Sequence, residues 1–239
     1  MNDKQLEALV EKCLDEFYRR RIEKLSTLEL SHALKRKNPY LFRAIGNDSA
    51  TEIVAQLLVA YMSSSDEGIF GDAFFEPLAK AVCRGNVAPT QGVDIVVETA
   101  TSYKAIAVKS GPSVFNAQSK RRQNQDFQAL KSRLLKLQKH FDAVAGYCYG
   151  TKNPRPSDTL VFRELAGQAF WEELTGDARF YIRIMEAMKS RPSVHKAQFN
   201  SEWTKAVNRF ARDFTRDYCF DDGSINWHTL LEMNSGRRR

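Results

Sequence analysis

An α/β fold, a mixed central sheet flanked by helices with additional helices at both ends, follows from three observations. The stretch GVDIVVETATSYKAIAVKSGP, residues 92–112, places β-branched and apolar runs on either side of a short polar turn and reads as a hairpin. A basic segment of helical length follows, leading into FDAVAGYCYG at residues 141–150. That third apolar strand is reached by a helical crossover and is therefore expected to run parallel to the second. Outside this block, apolar residues recur at i, i+3, i+4 and i+7, the period of amphipathic helices.

The chain has 239 residues, with 43% hydrophobic and 27% charged, enough to fill one large core or two small ones. Its net charge of +7 favours polyanionic partners. Cys13, Cys83, Cys148 and Cys219 are widely separated and the four histidines are scattered, which argues against a structural zinc site or a disulfide framework. No apolar run is long enough to cross a bilayer and the N-terminus is charged, so a soluble intracellular protein is expected.

Taken in order, residues 3–25 form an amphipathic helix with Leu6, Val10, Cys13, Leu14 and Phe17 on one side. Ser26 or Thr27 caps a second, short helix. In LKRKNPYLFRA, residues 34–44, the cations Lys35, Arg36, Lys37 and Arg43 surround Tyr40 and Phe42. This interleaving suits a nucleic-acid backbone and equally suits a basic turn over buried aromatics. Ser49 or Thr51 caps a helix through Met62, residues 63–66 break it, and a further helix spans 67–83 with a kink near Pro77. Asp72 and Glu76 lie four apart on one face of it.

Between the hairpin and the third strand, residues 116–140 read as a long helix with seven cations (Lys120, Arg121, Arg122, Lys131, Arg133, Lys136, Lys139) against one acid, Asp126. Its start would lie against phosphates, or it is a solvated crossover helix. A loop at 151–157 offers Lys152, Asn153 and Arg155 to DNA; 158–162 reads as a short strand, and helices are expected over 164–174, 177–189, 201–218 and the final INWHTLLEMN. The whole is expected to form one domain, residues 1–239, with a helical part at 1–66, a core at 67–162 and a helical part at 163–239.

Asp94 heads the first hairpin strand and Lys109 closes the second, so the two return to one edge of the sheet beside a Gly-Pro break. A carboxylate next to an ammonium suits holding a divalent cation and positioning a water for attack on a phosphodiester. A surface ion pair capping a hairpin would carry the same spacing.

The α-β-β-α-β order with Asp94, Val108 and Lys109 resembles the PD-(D/E)xK nuclease core. KRKNPYLFRA, IFGD-x-x-x-E ending at Glu76, G-V-D, V-K-S-G-P with Asn116 following, C-Y-G at 148–150 and G-Q-x-F-W-E-E-L-x-G-D at 167–177 are together similar to type II restriction endonucleases of the Pme type. The resemblance implies a Mg2+-dependent homodimer in the cytoplasm of a prokaryotic cell, cutting double-stranded DNA at a short specific sequence. It implies Asp94 and Glu76 as metal ligands with the Val108 carbonyl, and Lys109 as the catalytic lysine. Ser110, Ser113, Asn116, Lys120, Arg121 and Arg122 would hold phosphates at the start of the basic helix. One position departs from the pattern: Ala107 stands where a carboxylate is usual, on the face of Lys109. Glu76 is the first choice of compensating acid, with Asp72, Glu98 and Asp126 as rivals. A structure-specific repair or junction nuclease, and a DNA-binding protein that has lost catalysis, are the alternative readings.

Overall fold

In the computed structural model, which describes residues 1–83, 86–87, 90–113, 116–134, 138–152, 159–189 and 191–237, the chain forms two compact units. One comprises residues 1–17 and 68–191, the other 18–67 and 192–239.

The first unit is built on a five-stranded mixed sheet in the order β1-β2-β3-β4-β5. The strands are β1 (Asn86–Val87), β2 (Ile95–Glu98), β3 (Ser102–Lys109), β4 (His140–Tyr147) and β5 (Arg163–Ala166). β1, β2 and β3 pair antiparallel, and β3, β4 and β5 pair parallel. The hairpin and the parallel third strand are therefore as the residue pattern predicts. Two strand expectations need correction. β1 was not foreseen, and the last strand is RELA at 163–166 instead of 158–162, of which the described residues 159–162 are not strand. Glu164, expected to open a helix, is thus a strand residue.

Helices cover both faces. Against one lie the first turns of α1 (Asp3–Thr27), α5 (Glu76–Val82), α7 (Gln168–Thr175) and α8 (Phe180–Met188), burying Leu6, Val10, Phe74, Leu78, Phe170 and Trp171 against Ile95, Ile106, Val108 and Val144. Against the other lies α6 (Ala117–Leu134), whose Phe127 and Leu130 pack on Ala105, Ala107, Ala143 and Ala145. In register, Ala105 faces Ala143 and Ala107 faces Ala145. This block of small side chains lets α6 sit close on the sheet. The basic helix ends at Leu134 in the described residues, short of the expected 140, because His140 is already paired in β4.

At the end of the sheet where β4 begins, an ionic network ties three strands to α7. Arg163 bonds both oxygens of Asp142 at 2.9 and 2.8 Å and both of Glu173 at 3.1 and 2.8 Å, and Lys104 joins Glu173. The Arg163 bonds, aided by Lys104 and opposed by burial, hold the Glu173 carboxyl at about 2. A carboxylate depressed on folding contributes stability above its unfolded value and loses it as pH falls through the folded one. Unfolding free energy is thus expected to drop between about pH 4.5 and about pH 2, and Glu173→Gln should flatten that limb in urea titrations. An unchanged acid limb in the variant would show the network to be idle.

The second unit is helical, with the rest of α1, then α2 (Leu30–Leu34), α3 (Pro39–Ala44), most of α4 (Ala50–Phe70), α9 (Arg191–Tyr218) and α10 (Trp227–Ser235). Its core joins Leu25, Ile53, Leu57, Leu58, Phe210, Phe214 and Leu230. The break expected at 63–66 is absent: α4 runs through the serines, and Asp66 is ion-paired to Arg21 at 2.8 Å. The irregularity falls later, as a π-helical turn, Gly71–Phe75, that leads into α5 with Pro77 at its N-terminus, where no intrahelical N–H is needed.

Candidate active site

The hairpin brings Asp94 and Lys109 to one end of the sheet. Asp94, just ahead of β2, donates its backbone N–H to the Ile106 carbonyl at 2.9 Å, and its Oδ2 accepts from the Val108 N–H at 2.7 Å. The same oxygen is 4.0 Å from Lys109 Nζ. Both side chains are about a quarter exposed, at 27% and 25%, so the pair is anchored yet open to solvent. Carbonyls alternate along β3. That of Ile106 faces β2, and that of Lys109 faces β4, accepting from Cys148 N–H at 2.9 Å. The Val108 carbonyl therefore points to the β2 side, where Asp94 lies.

Glu76 is placed by the helices packed on one face of the sheet. The π-helical turn passes so close to β3 that a Cβ on Gly71 would come within 2.2 Å of Ser110 Oγ. A side chain at this position would require Ser110 to turn away, and a π turn is a recurrent device at functional sites. Glu76 follows at the head of α5, with its Oε1 accepting from Lys80 Nζ at 2.5 Å. Burial first, and then the Glu76 charge, raise the Cys148 thiol, which places that carboxylate near the residue bonded to the Lys109 carbonyl.

The rival acids stand elsewhere. Glu98 pairs with Lys139 at 2.6 Å, opposite Tyr103 at the turn end of the hairpin. Asp126 lies against Gly92, where a Cβ would be 2.6 Å from its Oδ2, and Gln123 of the same helix donates to the Gly92 carbonyl at 2.6 Å. Asp72 is exposed on the π turn. Ala107 is fully buried under α6, in the alanine block described above. Its side chain belongs to the packing of that helix, so a carboxylate here would displace α6 or be desolvated.

Of the residues expected to meet DNA, Ser110 touches the π turn, Ser113 is exposed, and Arg121 and Arg122 are exposed on the first turns of α6. Asn116 caps α6, its Oδ1 accepting from Ser119 N–H at 2.8 Å. Lys120 and Lys152 converge on Glu164, with Nζ to carboxylate distances of 2.6 and 3.6 Å. Lys35, Arg36, Lys37 and Arg43 belong to the second unit, where Arg43 pairs with Asp48 at 2.7 Å and its guanidinium stands 5.5 Å from the Trp227 ring. Asn153 and Arg155 lie outside the described residues. Glu164 and its hydrogen-bond donor Tyr147, at 2.6 Å, went unnoticed in the sequence because the partner lysine on α6 is 44 residues away.

A cavity of about 610 Å³ lies beside this region, lined by Phe75, Cys148, Tyr149, Trp171, Tyr181 and Met185 among others. It is apolar and contains neither Asp94 nor Lys109. A polyanion backbone needs the open, polar end of the hairpin instead.

Residues 4–196 match the family model for type II restriction endonuclease EcoO109I. The chain belongs to this family. The match spans the sheet, α6 and the Asp94–Lys109 hairpin together, so the type II restriction endonuclease expected from the motifs is borne out at family level, under the name of EcoO109I. A comparison with curated proteins found no match.

The donor set is compatible with magnesium. Asp94 keeps Oδ1 clear of hydrogen bonds among the described residues and the Val108 carbonyl points to its side of β3, while the Glu76 carboxylate is paired with Lys80. No group of three His, Cys, Asp or Glu side chains stands ready to hold a metal among the described residues. Magnesium retains several of its waters, so such a sparse oxygen set suits it better than it suits calcium.

Proposed function

We propose that this member of the EcoO109I family is a Mg2+-dependent endonuclease that hydrolyses both strands of duplex DNA at a short specific sequence, working as a homodimer in the prokaryotic cytoplasm. The observation that carries the reading is the Asp94–Lys109 pair, 4.0 Å apart and solvent-accessible at the end of the hairpin. No helix among the described residues is long and apolar enough to cross a membrane.

Magnesium, held by Asp94, the Val108 carbonyl and Glu76, would supply charge neutralisation at the scissile phosphate and a more acidic bound water. Asp94 is fixed for that task by the Val108 N–H, which leaves its second oxygen to the ion. Lys109 holds its ammonium beside the same carboxylate, where it orients the attacking water and balances the incoming phosphate. Exposed Arg121, Arg122 and Ser113 hold neighbouring phosphates, and Lys35, Arg36, Lys37 and Arg43 contribute sequence-independent attraction.

Digestion of a supercoiled plasmid with the purified protein and magnesium tests this reading. Discrete fragments with uniform sequenced ends are expected. Smears or cuts only at branched substrates would indicate the structure-specific nuclease. Binding with no cleavage would indicate a protein in which Ala107 has ended catalysis.

A further inference from the structure

Next to the hairpin stands a second charged constellation. β3, β4 and β5 run parallel, so side chains in one register row share a face. One row reads Ala107, Ala145, Glu164, and the next row on the same face, two residues on, reads Lys109, Tyr147, Ala166. Glu164 and Tyr147 are therefore on the face of Lys109 and at its end of the sheet, within two strand spacings, about 10 Å. The Tyr147 hydroxyl, on a fully buried ring, donates to Glu164 Oε1 at 2.6 Å. Lys120, from the first turn of α6, donates to Oε2 at 2.6 Å. Lys152 approaches Oε1 at 3.6 Å, with its Nζ 5.0 Å from the centre of the Tyr147 ring. The carboxylate is the inner member, 17% exposed, and the two ammonium groups are the outer ones, 33% and 28% exposed. Burial pushes Glu164 up, but the Lys120 and Tyr147 hydrogen bonds outweigh it and keep the group ionised.

We propose that Glu164, braced by Tyr147, is a positioning residue that holds Lys120 and Lys152 as a two-ammonium cradle for a DNA backbone phosphate flanking the scissile one. The cradle rests on the nuclease reading, which supplies the duplex at Lys109. Two cations on one carboxylate leave a surplus positive charge facing solvent, and the anchored amines meet a phosphate without first losing side-chain freedom. An ordinary half-exposed ion-pair network would add little to stability and would have no bearing on DNA.

Binding of a short labelled duplex in EDTA, measured across a range of NaCl concentrations, separates these cases. Lys120→Ala and Lys152→Ala should each reduce the slope of log K against log salt by about one. Glu164→Gln keeps the shape and an acceptor for Tyr147 while releasing the ammonium groups. It is expected to weaken binding about fivefold to tenfold, although removing a negative charge from a DNA-facing surface otherwise strengthens attraction. Glu164→Asp should recover part of the loss, and thermal melts of each variant report whether it is folded. Unchanged slopes in both lysine variants, or tighter binding by Glu164→Gln, would overturn the cradle. Should the wild type fail to bind DNA at all, the nuclease reading falls and the cradle with it. Should it bind and cut while the variants behave as wild type, the cradle alone is refuted.

Discussion

Asp94→Asn is expected to lower the single-turnover rate of DNA cleavage by about 10²–10³-fold or more while leaving DNA affinity within a few-fold. The asparagine is chosen for a structural reason. Oδ2 of Asp94 accepts from the Val108 N–H at 2.7 Å, and an alanine would leave that donor orphaned. A buried unpaired N–H costs about 1–3 kcal/mol, enough to confuse a catalytic loss with a distorted strand. An amide oxygen retains the bond and removes the charge that a metal ion requires. Lys109→Ala should cause a loss of comparable size, since its ammonium is the cation next to that carboxylate. Either variant cutting at the wild-type rate would remove the pair from catalysis.

Gly146→Ala is expected to be the most damaging small substitution in the sheet. Gly146 sits on β4 opposite Val108, and a Cβ there would lie 2.0 Å from Phe170 Cε2. Phe170 is fully buried, with its ring centre 5.3 Å from that of Trp171, whose indole N–H donates to the Cys148 carbonyl at 2.8 Å. The added methyl has no flexible neighbour to push aside. It must displace the Phe170 ring, at a cost of about 1–3 kcal/mol, the range for overpacking a close-packed core. The urea midpoint should fall accordingly. Because Cys148 bonds the Lys109 carbonyl, cleavage should decline along with stability. A midpoint within experimental error of wild type would contradict this packing.

The parts of the fold that could be read from the sequence are those whose pattern is local. The hairpin announces itself through Ile95, Val96 and Val97, the polar turn and the apolar run to Val108, and those residues form β2 and β3. The parallel placement of β4 follows from the crossover. By contrast, RELA at 163–166 is made of good helix formers and becomes a strand only because β4 offers it an edge. Three serines at 63–65 look like a break, yet α4 continues through them into the π turn Gly71–Phe75. α9 begins at Arg191, earlier than expected, with Pro192 tolerated in its first turn.

The candidate site shows the same division. Asp94 and Lys109 were legible because a hairpin returns its ends to one edge, a matter of chain geometry. Glu164 was not, since its importance lies in two lysines brought in from α6 and from the residues after β4. Ala107 illustrates a third case. The missing carboxylate was visible in the sequence, but its physical reason, an alanine block under α6, required the register of β3 on β4.

Manganese, which prefers the same oxygen ligands as magnesium and is visible by electron paramagnetic resonance, can be titrated into complexes of the protein with duplex DNA. The wild type and Lys109→Ala should both bind the ion at the hairpin end, and Asp94→Asn should not. Equal manganese affinity in Asp94→Asn and wild type would mean that the metal, and the chemistry assigned to it, resides elsewhere in the molecule.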